Sequence, residues 1–425
     1  MNRDASLFAE AEKLLGDLVA FPSLSRHENT GIIEYVETYL QRYGAHTTRI
    51  SIAEKRWNLF ATIGPRRDGG LCLSGHLDVV PADKQGWNHQ PFTLTRKSDR
   101  YYGRGTTDMK GYLALVLALV PVWAADKAES SGRMSSGTAG KSSEGAEPSA
   151  PAAPSAPAIQ PSTAAPSATP AQPIHIALTY DEEDGCSGAP ALIRELGSTL
   201  PKPEAVIVGE PTGMVPVIGH RAGTSCFTEV RGLSSHSSNP EAGINAIYTA
   251  ADLIRHLRDV YNRFAANPRE DSDFSPAYST ISVGTITGGT ARNVIPDYCG
   301  FEWEIRSLPG ENPNDTLTEL EEYGRSALMP FRNGRRTGTG IHTTIRSSYP
   351  ALEPDPRSKA LEWVRKAGCT AAPAVVNFGT EAGLYQQAGI PAVVWGPGNI
   401  KQAHTNDEFI MKNQLTAFLA YLRNL

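Results

Sequence analysis

The sequence predicts an α/β protein in which a mixed-sheet domain, with helices on both faces, is interrupted by an inserted α+β domain. The chain has 425 residues, more than one ordinary core accommodates. Helical and strand patterns alternate along its first hundred residues and resume after Pro350, as in α/β domains. Between these halves, several alternating strands and two helices indicate an α+β unit. We therefore expect residues 1–218 and 345–425 to form one domain and residues 219–344 to form the other.

The first half of the main domain is predicted from apolar periodicity. Over residues 5–21 apolar side chains recur at helical spacing and stop before Pro22. Over 47–52 and 58–63 they alternate as in strands, and Gly64 and Pro65 end the second strand. The predicted elements of this half are helices over 5–21, 29–43, 110–125 and 189–196, and strands over 47–52, 58–63, 71–73, 174–178 and 205–208.

The inserted domain and the second half of the main domain follow the same rules. Antiparallel strands with one solvated face should alternate, and three stretches after residue 219 do so. The inserted domain is predicted to contain strands over 224–230, 279–286 and 300–306 and helices over 241–262 and 315–328. The returning part of the main domain is predicted to contain helices over 358–367, 381–388 and 411–422 and strands over 374–376 and 392–395.

A low-complexity segment interrupts the main domain between residues 126 and 172. It consists mostly of Ala, Pro, Ser, Gly and Thr, and such a composition cannot offset the entropy of ordering the chain. We expect it to be disordered. A surface insertion is favoured because the flanking helix and strand would join naturally by a short turn, and an interdomain linker is the alternative.

Composition narrows the class of protein. The net charge of −5 gives no reason to expect nucleic acid or an anionic membrane as a partner. The five cysteines are scattered, with no CxxC pair, which favours a reducing compartment over a disulfide framework or a thiolate zinc site. Asp4, Glu10 and Glu12 interrupt the apolar residues near the N-terminus, so no signal peptide is expected. These features predict a soluble, cytoplasmic protein.

His76 and Asp78 form the first candidate site. They follow the strand over 71–73, and on an extended chain residues two apart point the same way. A histidine and a carboxylate in this arrangement can form half of a metal site. An isolated pair of this kind is more often a surface hydrogen-bonded pair, so the metal interpretation depends on further ligands.

Further candidates follow other predicted strands. Because ligands bind at the carboxyl edge of open α/β sheets, we expect these side chains to meet there. They are Glu182, Glu183, Glu210 and His404, with Asp108 in a loop leaving the same region. Imidazole and carboxylate ligands without thiolate suit a hydrolytic Zn²⁺, Co²⁺ or Mn²⁺ centre, including two metals bridged by one carboxylate.

The adjacent Glu182 and Glu183 are expected to have different tasks. Neighbouring residues at a strand end cannot face the same point, so one can bind metal while the other acts as a general base. The alternative is an acidic cluster at the start of the helix over 189–196, stabilised by the helix dipole.

Five segments together resemble the di-zinc aminoacylase, deacetylase and carboxypeptidase family. They are SGHLDVVP (74–81), GRGTTDMKG (103–111), DEE (181–183), VGEPT (208–212) and GPGNIKQAHTNDEF (396–409). The resemblance covers nearly the whole chain except residues 126–172. It implies two divalent metals, Zn²⁺ first and Co²⁺ as the alternative.

The resemblance also implies a role for each candidate at the sheet edge. The implied ligands are His76, Asp108 and Glu210 for one metal and Asp108, Glu183 and His404 for the other, with Asp108 as the bridge. Glu182 is the implied general base, and Asp78 is implied to orient His76.

For the inserted domain, the resemblance implies a lid and dimerisation module, and hence a homodimer. His236, within GLSSHS (232–237), matches a histidine that in relatives reaches the partner's active site and stabilises an oxyanion. The implied substrate-binding residues are Asn293, Arg306, Gly379, Thr380 and Glu381. An arginine fork such as that of Arg306 suits a substrate carboxylate, and we expect Glu381 to lie near a cationic substrate side chain.

The implied reaction is hydrolysis of the amide bond of a small N-acyl amino acid. The resemblance implies an acetyl group as the acyl group, and a desuccinylase or a broad N-acyl-amino-acid amidohydrolase of the same family is the alternative. A non-catalytic relative that only binds metabolites is the alternative from another class, and it is disfavoured because every ligand position and Glu182 are filled.

Overall fold

The computed structural model describes residues 3–82, 86–132, 172–327 and 338–425. The predicted insertion over 126–172 lies largely outside these residues. Its first part, residues 126–132, continues a helix, and residues 133–171 are not among those described.

Within the described residues, a mixed eight-stranded sheet forms the larger domain. Its strands lie in the order β1 (His46–Ala53), β2 (Arg56–Ile63), β6 (Ile174–Thr179), β3 (Leu71–His76), β7 (Ala205–Val208), β16 (Ala392–Val394), β8 (Val217–His220) and β15 (Ala374–Val376). Strands β6, β3, β7 and β16 run parallel to one another, whereas β1 and β2 are antiparallel neighbours at one side. The parallel strands therefore bring their carboxyl ends to the same edge.

Helices cover both faces of this sheet, which confirms the predicted fold class. One face carries α1 (Arg3–Val19), α2 (Thr30–Arg42), α3 (Lys110–Gly132), α7 (Lys359–Lys366) and α9 (Lys412–Leu422), and the other carries α4 (Ala189–Ile193) and α8 (Ala382–Gln387). Successive strand residues alternate between the two apolar cores, since the side-chain period of a strand is two. In β3, for example, Leu71 and Leu73 join the first core and Cys72 joins the second.

Over residues 111–120 helix α3 is apolar around its whole circumference. Residues 111–120 are all buried, because α3 packs against the sheet, α1 and α9. The helix continues to Gly132, beyond the end predicted at residue 125. Among the helices in the described ranges, none has the length and apolarity required to cross a membrane.

The smaller domain is a four-stranded antiparallel sheet backed by two helices. Its strands lie in the order β11 (Thr280–Gly288), β13 (Tyr298–Ser307), β9 (Ala222–Arg231) and β14 (Gly340–Tyr349), and its helices are α5 (Ala246–Ala266) and α6 (Pro313–Ala327). Phe301, Trp303 and Ile305 of β13 alternate into the core beneath the helices. The other side chains of β13 therefore lie on the opposite face.

Several strands of the structure are absent from the sequence prediction. They are β4 (Thr95–Lys97), β5 (Arg100–Tyr102), β8, β10 (Ser235–His236), β12 (Val294–Ile295), β14 and β17 (Phe409–Met411). Most have two to four residues, and a pattern this short does not predict a strand. They form because a partner strand lies beside them. Strand β14 is longer, and its β-branched residues were an available signal. Strand β8 crosses the predicted boundary at 218, and β14 extends past the one at 344.

Candidate metal centre and cleft

Polar candidates follow three neighbouring parallel strands at one edge of the large sheet. His76 is the last residue of β3, Glu182 and Glu183 follow β6, and Glu210 follows β7. Local backbone geometry supports this placement, since Asp181 at φ 63° turns the chain just after β6. Residues that are far apart in the sequence thus meet at the carboxyl edge of the parallel strands, as predicted.

Asp108 lies between two histidines and directs one oxygen to each. Its Oδ1 is 3.0 Å from Nε2 of His76, and its Oδ2 is 3.1 Å from Nε2 of His404. Glu183 Oε1 is 3.0 Å from the same His404 nitrogen. Two carboxylate oxygens directed at separate imidazoles match the arrangement expected of a bridging ligand.

Glu210 and Glu182 complete the group around His76. The donor atoms of His76, Glu182 and Glu210 lie within 4.8 Å of one another, as do those of His76, Asp108 and Glu183. Distance alone therefore does not separate Glu182, the predicted base, from the predicted ligands.

The cluster fits a divalent cation. Glu210 Oε1 is buried, lies 3.5 Å from His76 Nε2, and has no hydrogen-bond partner among the described residues. A buried carboxylate oxygen without a hydrogen bond costs free energy that a cation would offset. The nitrogen and oxygen donors, without thiolate, are those that Zn²⁺, Co²⁺ or Mn²⁺ accept in hydrolytic sites.

Asp78 supports the site differently from the prediction. The nearest acceptor to His76 Nδ1 is the backbone carbonyl of Asp78 at 2.9 Å, whereas the carboxylate Oδ1 is 3.6 Å away. The carboxylate instead accepts hydrogen bonds from the backbone N–H groups of Glu182 and Glu183, each at 3.2 Å, and from the Ser25 hydroxyl at 2.7 Å. Asp78 therefore orients the glutamate pair with its side chain and His76 with its main chain.

Crowding shifts the pKa values of the cluster in the metal-free protein. Burial lowers the pKa of His76, but the carboxylates of Asp108 and Glu210 outweigh it and raise this pKa well above its ordinary value. Hydrogen bonds to Asp108 and Glu183 raise the pKa of His404 to about 11. Burial, reinforced by the charge of Asp108, raises the pKa of Glu210 to about 8.

Metal binding to this cluster is expected to release protons, because metal ligands must be deprotonated. Glu210 and His404, with pKa values of about 8 and about 11, hold protons in the metal-free protein near neutral pH. Affinity for Zn²⁺ should therefore fall as pH is lowered and rise as pH increases through these values. Calorimetric titration with Zn²⁺ in buffers of different ionisation enthalpy measures the protons released. Equal heats in every buffer would contradict this expectation.

Glu408 is a buried residue that sequence reasoning missed, and it holds the loop that carries Asp108. Its Oε1 accepts hydrogen bonds from the backbone N–H groups of Thr107 at 2.9 Å and Asp108 at 3.1 Å. Its Oε2 accepts from the N–H of Gly105 at 3.0 Å and from Arg104 Nη1 at 2.9 Å. The only sequence signal was its position inside the matched segment 396–409.

Replacing Glu408 with Gln should destabilise the protein. The amide loses the buried ion pair with Arg104 and presents an N–H group to backbone donors, and removing one partner of a buried pair costs roughly 3–5 kcal/mol. Denaturant unfolding of the metal-free protein measures this loss. The matched control is Glu204→Gln, which breaks a surface pair with Lys359 and should cost less than about 1 kcal/mol. Equal losses in the two variants would refute the role of Glu408.

A cleft of about 1110 Å³ separates the metal cluster from the sheet of the smaller domain. Its lining includes Glu182, Glu210, His404, Glu304, Arg306, Tyr349 and Gly379. Alternation along β13 places Glu304 and Arg306 on the cleft side, opposite the core side chains. Two predicted substrate-binding residues, Arg306 and Gly379, thus lie at the cleft.

His236 and Asn293 lie close to each other but outside the lining of the cleft. In the paired strands β10 and β12, His236 faces Val294, and the N–H of Ser237 donates to the carbonyl of Asn293 at 3.0 Å. His236 is exposed, its Nδ1 is 2.7 Å from Ser238 Oγ, and it is not among the described residues that line the cleft. Asn293 is likewise not among the described residues that line the cleft, so neither residue contributes to this cleft within one chain.

Thr380 and Glu381 are buried rather than exposed to the cleft. Glu381 is 1% exposed, and its Oε2 accepts a hydrogen bond from Ser74 Oγ at 3.4 Å. Burial raises the pKa of Glu381 to about 7. Neither residue is among the described residues lining the cleft, so this geometry argues against the expected contact between Glu381 and a cationic substrate side chain.

The fold and the site together define a class, that of two-domain metal-dependent hydrolases. Comparison with known proteins specifies the family. Residues 72–135 match peptidase family M20/M25/M40, and residues 218–330 match the peptidase dimerisation domain. The acetylornithine deacetylase of Photorhabdus laumondii is 31% identical over 409 residues, covering 94% of this chain and 91% of that protein. That of Buchnera aphidicola is 30% identical over 417 residues, covering 96% and 94%. The chain therefore belongs to peptidase family M20/M25/M40 and is a hydrolase that acts on amide bonds.

Solved structures share the fold. An M20 family metallo-carboxypeptidase from Sulfolobus solfataricus matches with a TM-score of 0.69 at 17% identity, covering 98% of each chain. A dinuclear metal-binding M20 peptidase from Bacillus subtilis matches with a TM-score of 0.60 at 16% identity, covering 99% of this chain and 97% of that one. At these identities the likeness concerns the fold alone.

Proposed function

We propose that this protein is a metal-dependent deacetylase that hydrolyses N2-acetyl-L-ornithine to L-ornithine and acetate, a step of arginine biosynthesis. The observation that carries the proposal is the buried histidine and carboxylate cluster facing the cleft. The substrate rests on relatives named acetylornithine deacetylase, which match over more than nine-tenths of the chain.

In this proposal two divalent metals occupy the cluster. His76, Asp108 and Glu210 would hold one metal, and Asp108, Glu183 and His404 would hold the other, with Asp108 contributing to both. Such metals supply electrophilic assistance to an acyl carbonyl and lower the pKa of water. Zn²⁺ is the proposed ion and Co²⁺ the alternative, since imidazole and carboxylate donors suit both.

Glu182 is the proposed general base and acid. Burial raises its pKa well above the ordinary value, while His76 opposes that rise. An ionised carboxylate with a raised pKa accepts a proton readily and can return it. Glu182 takes a proton from the attacking water and later donates it to the departing amine nitrogen of ornithine.

Arg306 is the proposed contact for the substrate α-carboxylate. It lines the cleft opposite the metal cluster, and a guanidinium recognises carboxylates through directed hydrogen bonds. Binding there would hold the amino acid while its acetyl group extends toward Glu182.

We also propose that the protein acts as a homodimer through the domain over 219–344, in the cytoplasm, and that nucleic acid and membranes are not partners. The matched dimerisation domain supports the dimer, and the burial of all five free cysteines is compatible with a reducing compartment. His236, exposed and outside the cleft of its own chain, is the proposed oxyanion donor to the partner subunit.

Steady-state kinetics test the proposed function. The metal-depleted protein should hydrolyse N2-acetyl-L-ornithine only after Zn²⁺ or Co²⁺ is added. N-acetyl-L-methionine and N-succinyl-diaminopimelate are the comparison substrates. Preference for the succinyl substrate would identify a desuccinylase, and equal use of all three would identify a broad N-acyl-amino-acid amidohydrolase. A protein that binds no metal and hydrolyses none of them would overturn the proposal.

A further inference from the structure

Tyr349 ends strand β14 at the junction of the two domains, with its ring between two glycines. Its backbone pairs with Gly223 of β9, and its ring also meets Gly379 from the loop before α8. A Cβ added to Gly223 would lie 2.3 Å from the Tyr349 hydroxyl, and one added to Gly379 would lie 1.8 Å from a ring carbon. Both positions therefore require glycine for the ring to reach the cleft, which Tyr349 lines.

The tyrosine hydroxyl lies beside the guanidinium of Arg306. Arg306 Nη1 donates to the hydroxyl oxygen at 3.3 Å. Within the part of the chain that the structure describes, the Tyr349 hydroxyl makes no other hydrogen bond. The O–H proton of Tyr349 is therefore available to an acceptor in the cleft.

Glu304 limits how Arg306 can bind an anion. Arg306 Nε and Nη2 each donate to the Glu304 carboxylate at 3.1 Å, so this edge of the guanidinium is already occupied. The N–H groups left over are the second one of Nη2 and those of Nη1, and the Tyr349 hydroxyl lies on the Nη1 side. A carboxylate has two oxygens, and this side offers an N–H of Arg306 for one and the O–H of Tyr349 for the other.

The protonation state of Tyr349 suits a donor. Burial raises its pKa, Arg306 lowers it, and the nearby Cys186 and Glu182 add to the rise. The hydroxyl therefore keeps its proton across the working range of a hydrolase.

We propose that Tyr349 is a substrate-contacting residue whose hydroxyl, together with Arg306, binds the α-carboxylate of the N-acyl amino acid. This inference rests on the proposed function, because it takes the ligand of the cleft to be an N-acyl amino acid. The space that Gly223 and Gly379 leave for the Tyr349 ring would then serve to position a hydrogen-bond donor, and not only to allow the two domains to pack.

The variant Tyr349→Phe tests this role, since it keeps the ring between the glycines and removes only the hydroxyl. In the metal-loaded enzyme, KM for the N-acetyl amino acid should rise about 10- to 100-fold, the range for a hydrogen bond to a charged group, with kcat nearly unchanged. With the matching substrate that carries a carboxamide in place of the carboxylate, the variant and the parent enzyme should differ little.

Tyr323→Phe is the matched control. The Tyr323 hydroxyl also accepts a hydrogen bond from an arginine, Arg255 Nη2 at 2.8 Å, but it lies on α6 outside the cleft lining. Its removal should leave kcat and KM unchanged. Wild-type KM in Tyr349→Phe, or a loss confined to kcat, would overturn the proposal, as would an equal rise in KM for the carboxamide substrate.

Failure of the proposed function can be recognised separately. If the parent enzyme rejects acetylornithine but hydrolyses another N-acyl amino acid, the substrate assignment fails and the Tyr349 comparison is made on that substrate. If the parent enzyme hydrolyses no N-acyl amino acid, the Tyr349 contact is tested by calorimetry, which compares the binding of N2-acetyl-L-ornithine to the metal-loaded parent and to Tyr349→Phe. Weaker binding by the variant would support the contact, and equal binding or no binding to either would overturn it.

Discussion

Replacing Glu182 with Gln should lower kcat on N2-acetyl-L-ornithine by about 10²- to 10⁴-fold, the contribution of a positioned general acid and base. The amide keeps the size of the side chain but cannot take a proton from water or deliver one to the amine. Because Glu182 is proposed as the base and not as a ligand, the variant should still bind two metals. Turnover and metal content, measured on the same preparation, distinguish a general base from a metal ligand, which the interatomic distances do not.

The neighbouring carboxylate provides the control. Asp184 also lines the cleft, but it pairs with Arg26 at 2.5 Å and stands apart from the two groups of potential ligands. Asp184→Asn should therefore keep most of the activity. Wild-type turnover in Glu182→Gln would refute the general base, and a loss of one metal in proportion to activity would identify Glu182 as a ligand.

Replacing His236 with Ala should lower kcat by about 10²- to 10³-fold, as for the loss of one oxyanion donor. If His236 acts in the partner's site, a heterodimer of His236→Ala with Glu182→Gln contains one intact site, made of Glu182 from the first chain and His236 from the second. Mixing the two inactive variants under conditions that exchange subunits should therefore restore activity, up to about one-quarter of the parental value by random pairing.

The complementation has its own controls. Mixing Glu182→Gln with the double variant Glu182→Gln/His236→Ala must give no recovery, because no site then contains Glu182. Ser238→Ala removes the 2.7 Å contact to His236 Nδ1 without removing the imidazole and should have a much smaller effect on kcat. Failure of the first mixture to recover, although sedimentation shows dimers that exchange, would refute action across the dimer.

The members of the metal cluster could be predicted because their signals are local. Each candidate is a histidine or carboxylate placed just after a strand or in its adjoining loop, and one general rule brings such positions to a single edge. His76 ends one strand, and Glu183 and Glu210 follow two others; the apolar runs of these three strands identify them. Helix α1 and the strands β2 and β7 were likewise predicted, within a few residues, from periodicity.

Roles within the cluster depended on partners that are far away in the chain. The carboxylate of Asp78 holds backbone groups 104 and 105 residues further on, and Glu408 holds the N–H of Asp108 across 300 residues. No local pattern encodes such hydrogen bonds. The same reason explains Glu381, since a carboxylate at the start of a helix is usually exposed, yet here it is covered by β3 and α8.

The sequence by itself determined the fold class, the residue types of the metal site and its position at the sheet edge, because apolar periodicity and strand ends are properties of short stretches. Only the tertiary structure decided which carboxylate supports which ligand, that His236 stands outside the cleft of its own chain, and that Tyr349 reaches Arg306 between two glycines. These features depend on side chains from distant segments packing within hydrogen-bonding distance, and that distance is set by the complete fold.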